Sequence, residues 1–367
     1  MTGATMTKVE MSRLLLETIG SPIGTGTRVP RSEEIESLTE FAFKSRVGLL
    51  FLDECLRKGV ALGPAARELH ESLTKRRYAT DDVIVRLTKS LDEVAKDEWV
   101  LFKSIKPFAS TPNDTDWFPF DPKRHDELVR HLTCDGAFKL LEQAPCQTTL
   151  IESSGEGITD TTKAGGVYYI DCYIYPSTDY FIYLDPRRLR EYREETLVNG
   201  VSVPVLAPPA ELAAIMFHNV FPERSFSIES YYLIKCYLEA IAERGSSAKF
   251  VQVCRDQKME YAASVNLALV RDIDRAHFGI EDPAIPALLR DLGHPDFRVE
   301  AFDPRGAFPY EFPNRVYWTT FFSKQRDRTS LASTGNQVLH MLNPVFFADV
   351  VKIIWRRSVK GGVYQQN

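Results

Sequence analysis

Hydrophobic and polar positions change period along this chain, and the changes mark its elements. From Ser32 to Leu56 apolar residues recur at helical spacing through Leu38, Phe41, Phe43 and Val47, behind an N-cap and the acidic first turn Glu33, Glu34 and Glu36. Further helices are predicted over about Ala65–Lys75 and Asp81–Lys96. At Glu98 the period shortens. Trp99–Phe102 and Thr115–Phe120 read as buried strands, Pro122–Leu132 as a polar-faced helix, and Phe138–Leu141 and Gln147–Ile151 as strands. Val167–Tyr175 is an alternating aromatic strand entered through Gly165-Gly166, a hairpin signal, and Val201–Leu206 is another strand. After Pro209 helices return at Ala210–Val220, Ile228–Glu243, Ala248–Cys254 and Met259–Ala276. Six prolines from 283 to 313 impose turns, and a last apolar helix is expected at Pro344–Trp355.

This pattern predicts an α+β protein, a small mixed sheet flanked by N- and C-terminal helical regions. Its expected parts are a loosely held arm at 1–30, a helical region at 31–96, an α/β core at 97–209 and a helical domain with a basic end at 210–367. At 367 residues, 44% hydrophobic and 26% charged, the composition excludes wholesale disorder. The run Val47–Leu52 is among the longest apolar stretches and falls far short of the roughly 18 residues of a membrane helix. Leu14-Leu15-Leu16 is too short for a signal peptide, so a cytoplasmic location is expected. The six cysteines lie far apart without a CxxC pair, which excludes a zinc ribbon and predicts buried thiols.

The net charge of −5 argues against indiscriminate nucleic-acid binding, but its distribution is uneven. Residues 313–367 carry eight basic and two acidic side chains, leaving the first 312 at −11. A solvated helix face accounts for such a segment, and so does a surface for RNA or another phosphate-rich or protein acceptor.

Chemistry concentrates around Asp114-Thr115-Asp116. Residues two apart on a strand share a face, so these carboxylates stand side by side. Like charges so placed raise one pKa unless a cation neutralises them, and hard oxygen ligands suit Mg²⁺ or Mn²⁺. The bland alternative is a surface turn, since Thr111-Pro112-Asn113 is turn-forming. Asp171 interrupts the apolar strand Val167–Ile174, where an ionised carboxylate is costly unless paired or metal-bound. Beside the Asp114–Asp116 strand it completes a three-carboxylate site; otherwise it is an edge residue facing water.

The strand ending Phe102-Lys103-Ser104, the Asp114/Asp116 pair and the Ile170-Asp171 strand together resemble the nucleotidyltransferase superfamily of the DNA polymerase β type, in particular its branch of uncharacterised nucleotidyltransferase-like proteins. Pro209–His218 resembles the helix that follows their sheet, and the similarity covers roughly Ser32 to Ala240. The resemblance implies a nucleotidyltransferase core, two divalent metals on Asp114, Asp116 and Asp171, and a bound NTP such as ATP. It also implies transfer of an NMP to a hydroxyl, with Asp171 as the third ligand or base. The family grips the phosphates with a glycine-containing turn; Lys103-Ser104 stands in its place here and is the expected phosphate contact.

Further candidates each carry a bland alternative. Lys163 before the glycine pair reaches a phosphate or is solvated. His218 contacts substrate or is a satisfied helix histidine. Tyr231 with Tyr232 and Lys235 line a base-and-phosphate site or belong to the core. Arg187, Arg188, Arg190 and Arg193 touch substrate or face solvent. A degenerate nucleotidyltransferase fold acting as a binding module is the alternative function. A DxD glycosyltransferase is a further one, opposed by the helical first hundred residues.

Overall fold

The computed structural model describes residues 6–112, 114–134, 136–152, 168–178, 181–340, 342 and 347. Four helices come first: α1 (Lys8–Ile19), α2 (Ser32–Lys44), α3 (Gly48–Arg57) and α4 (Pro64–Ala95). Strands β1 (Trp99–Phe102) and β2 (Asp114–Pro119), helix α5 (His125–Cys134), and strands β3 (Phe138–Ala144), β4 (Gln147–Glu152) and β5 (Tyr169–Tyr173) follow. A two-residue ribbon pairs β6 (Ser177–Thr178) with β7 (Phe181–Ile182), and β8 (Arg193–Val198) and β9 (Val201–Leu206) form a hairpin. Helices α6 (Pro208–His218), α7 (Ile228–Glu243), α8 (Ser247–Asp256), α9 (Glu260–Ile273) and α10 (Ala284–Asp291) complete the apolar bulk. A second ribbon joins β10 (Ser225–Phe226) to β11 (Tyr310–Glu311), before α11 (Asn314–Lys324) and α12 (Arg328–His340).

Seven strands form one mixed sheet in the order β3-β4-β5-β2-β1-β9-β8. The pairs β2–β5 and β1–β9 are parallel and the others antiparallel. Strand alternation divides the interior in two. Trp99 and Leu101 of β1, Trp117 of β2, and Ile170 and Cys172 of β5 point to one face, where they meet Val83, Ile84, Leu87 and Leu91 of α4 and Leu128 and Leu132 of α5. Val100 and Phe102, Phe118 and Tyr173 point to the other, into a larger core shared by α1–α3 and α6–α10. Asp114, Asp116 and Asp171 belong by parity to this second face.

Three expectations need correction. Residues 8–19 are not an arm: Thr7 and Glu10 form a capping box, and Leu15, Leu16 and Ile19 are fully buried. The glycines that suggested looseness serve close packing, since a Cβ on Gly20 would lie 2.0 Å from the Gly26 amide nitrogen. The helices expected near 65–75 and 81–96 are one 32-residue α4, because no Gly or Pro separates them and Asp81 lies mid-helix rather than at a cap. The helix expected over 32–56 is two, broken at Ser45-Arg46-Val47, where Arg46 adopts φ 59°. Helices α1–α3 share a core with the C-terminal helices, while half of α4 backs the sheet. The helix expected at 344–355 lies outside the described residues. Among the described residues, no helix is long and apolar enough to cross a membrane.

Candidate metal and nucleotide site

The site is built by strand register. Asp116 of β2 pairs in register with Asp171 of the parallel β5, and Asp114 precedes Asp116 by two, so all three carboxylates leave the sheet on one side. Their nearest oxygens lie within 4.8 Å of one another. Opposed ligands across one hard divalent cation are about 4–5 Å apart. An all-carboxylate donor set of this span fits Mg²⁺ or Mn²⁺. Thr149 on β4 donates its hydroxyl to Asp171 Oδ1 at 2.6 Å and fixes that carboxylate, while the Tyr168 hydroxyl donates to the Asp114 carbonyl at 2.8 Å.

Lys103, immediately after β1, adopts φ 59°, the left-handed region that glycine occupies at least cost. The backbone thus keeps the glycine-like bend while the lysine side chain supplies a cation. Its Nζ lies 3.0 Å from Asp116 Oδ2 and 4.8 Å from the centre of the Phe102 ring. Burial opposes the ammonium, but Asp116, Tyr183 and Asp114 together outweigh it and hold Lys103 protonated, well above the usual lysine range. Burial pushes the Asp116 carboxyl up to about 7 against the pull of Lys103, with Asp114 and Asp171 adding to the rise. Burial likewise raises Asp171. A divalent cation would counter both shifts, because it stabilises the ionised form.

Ser104 corrects the expected phosphate contact. Its Oγ accepts the Asp116 amide at 2.8 Å and lies 3.1 and 3.2 Å from the carbonyls of Phe102 and Asp116, binding the end of β1 to β2. The hydroxyl is buried in the sheet and does not line the cavity. Ser104→Ala is therefore expected to cost about 1–3 kcal/mol of stability, the penalty of an unsatisfied buried amide, with nucleotide affinity unchanged. Denaturant unfolding and a nucleotide-binding titration on the same variant check both halves.

The carboxylates open into a cavity of about 710 Å³ whose lining includes Lys103, Glu211, His218, Glu223 and Glu229 as well as Lys8, Lys44, Arg46 and Lys106 from outside the sheet. His218 does reach this cavity; burial first, then the charges of Lys103 and Arg46, keep its imidazole neutral. Tyr231 and Lys235 do not. The Tyr231 hydroxyl donates to Asp274 Oδ1 at 2.5 Å, and Lys235 Nζ lies 3.0 Å from Asp274 and 3.3 Å from Asp282, so both belong to a core network. The four arginines are spent on ion pairs: Arg187 and Arg188 with Asp185, Arg190 with Glu98, and Arg193 with Asp97 and Glu195. Lys163 lies outside the described residues. So do Lys352, Arg356, Arg357 and Lys360 of the basic end; within the remainder Lys324 is buried and Arg315 pairs with Glu300.

Glu211 was missed. It is the lone acid of α6, an otherwise apolar and buried helix, which is the same signal that singled out Asp171. Its Oε1 accepts the Lys103 amide at 2.5 Å and so holds the left-handed bend, while Oε2 is buried without a hydrogen-bond partner. Burial pushes the carboxyl up to about 8, the Lys103 amide and charge pulling the other way. A carboxyl raised on folding stabilises fully below its unfolded pKa and loses that contribution as pH rises toward the folded value. Glu211→Gln, which keeps the acceptor, is expected to flatten the fall in Tm between about pH 4.5 and 8 and to exceed the wild type by at least about 2 °C at pH 8.5. A thermal-melt series across pH checks this.

No family model and no curated protein matches the chain.

Proposed function

We propose that this protein is a Mg²⁺-dependent nucleotidyltransferase that moves an NMP from an NTP to a hydroxyl of an acceptor. The observation that carries the reading is the meeting of Asp114, Asp116 and Asp171 within 4.8 Å at a large cavity that also presents cationic side chains. Such a cavity suits a substrate with a polyanionic tail and a reacting phosphorus beside bound metal. The three carboxylates would hold the metal, which when bound supplies Lewis-acid stabilisation of phosphoryl charge.

The residues account for the remaining steps. The acceptor oxygen forms a bond to the α-phosphorus, the bond from that phosphorus to the β-phosphate oxygen breaks, and pyrophosphate leaves with the electron pair. Asp171, on the strand beside that of Asp114 and Asp116, takes the hydroxyl proton; burial strengthens it as a base. Lys103 holds Asp116 in place and offsets carboxylate repulsion before metal arrives. A glycosyltransferase of the DxD type fits less well, because four helices and, among the described residues, no strand precede β1.

The commitment of Ser104 to β2 favours a second reading, a binding module of the same fold without transfer chemistry. One assay separates them. The protein is incubated with each labelled NTP, Mg²⁺ and a cell extract containing RNA, protein and small-molecule hydroxyls. Transfer of label is expected with at least one NTP. An absence of transfer with all four, together with an unchanged melting temperature on adding Mg²⁺, would overturn the enzyme.

A further inference from the structure

With Ser104 turned into the sheet, the phosphate tail of an NTP lacks the turn that the resembling family uses. We propose that Arg46 and Lys106, both braced on Glu229, grip the β- and γ-phosphates instead; this rests on the nucleotidyltransferase reading. Arg46 sits in the break between α2 and α3, where its left-handed backbone and the 3.0 Å hydrogen bond from its amide to the Phe43 carbonyl fix its direction. Its Nη1 lies 3.9 Å from Glu229 Oε2, and Lys106 Nζ donates to Glu229 Oε1. Glu229 is 6% exposed in the first turn of α7, so the bracing carboxylate is itself held by a helix.

Lys8 of α1 and Lys44 of α2 line the same cavity, Lys44 with Glu40 at 2.6 Å. Glu223 lines it too, and burial raises its carboxyl above the usual range against the pull of Arg46 and Lys103. Arg46 and Lys106 line the same cavity as Asp114, Asp116 and Asp171. His218 feels both Lys103 and Arg46, and Glu223 feels Arg46, Lys103, Glu229 and Asp114. The Arg46 side chain is 44% exposed, whereas that of Glu229 is 8% exposed. A guanidinium fork and an ammonium held on one carboxylate match the non-bridging oxygens of adjacent phosphates.

The probes are Mg²⁺ alone, inorganic tripolyphosphate with Mg²⁺, and ATP with Mg²⁺, each followed by titration calorimetry on the full chain. Arg46→Ala and Lys106→Met are expected to weaken tripolyphosphate and ATP by about tenfold or more, the scale of a lost charge-assisted contact. Binding of Mg²⁺ alone should be unchanged, and Arg46→Lys should restore part of the loss. Tripolyphosphate and ATP bound by Arg46→Ala as by wild type would overturn the grip while leaving the enzyme reading intact. A wild type that binds Mg²⁺ but no NTP would remove both. Because Arg46 is partly exposed, its alanine variant keeps the fold, and circular dichroism monitors that.

Discussion

Replacing Asp114 and Asp116 together by alanine is expected to lower label transfer by at least about 10³-fold, the several kcal/mol that metal-assisted charge stabilisation supplies. The loss should appear in the rate at saturating NTP, because the interaction removed is one that strengthens as charge develops at the phosphorus. Alanine at 116 has a second consequence: it strands the buried Lys103 ammonium, and breaking such a pair destabilises by about 3–5 kcal/mol. Asp114→Asn with Asp116→Asn therefore belongs beside it. The amides keep the volume and an oxygen near Lys103, so the fold should survive while the anionic donors disappear. Label transfer that persists in the folded double-asparagine variant would sink the metal assignment.

What the sequence made legible follows from local rules. The period-two pattern placed Trp99–Phe102 and Val201–Leu206 at their observed bounds, and the lone aspartate in an apolar strand led to Asp171 beside Asp116. Asp114 and Asp116 share a face because strands alternate, so that part of the site needed no tertiary knowledge. The rest depends on contacts between distant positions. Tyr231 and Lys235 have the spacing of a binding face, yet their partner Asp274 is about 40 residues downstream and turns that face into core. The Ser104 hydroxyl reads as a phosphate donor until β2 is seen to pass beside it. Arg46, Lys106 and Glu229 come from a helix break, a loop and a helix start, and no motif links them. Backbone conformation was equally hidden, since a lysine gives no sign that position 103 adopts φ 59°.

That lysine yields the last expected result. Lys103→Met should cost about 3–5 kcal/mol of stability in chelator, and added Mg²⁺ should restore much of it. Methionine fills a similar volume and tolerates the same backbone no worse, so the loss isolates the charge. Without it, Asp116 at 5% exposure lies beside Asp114 and Asp171 with no cation to compensate them. The protein can then protonate the cluster or bind a divalent ion. Binding to the native state alone stabilises by RT ln(1 + [L]/Kd), about 2.7 kcal/mol at a hundredfold excess over Kd. In the wild type the ammonium competes with the ion for Asp116, so Mg²⁺ should stabilise the wild type less than the variant. Lys103→Gly separates the two properties of the position: it relieves the left-handed strain by about 1 kcal/mol while losing the same ion pair. It should therefore be less destabilised than Lys103→Met and respond to Mg²⁺ to the same extent. Urea unfolding of the three proteins with chelator and with Mg²⁺ reads every term, and a Lys103→Met variant indifferent to Mg²⁺ would mean that the three carboxylates do not bind it.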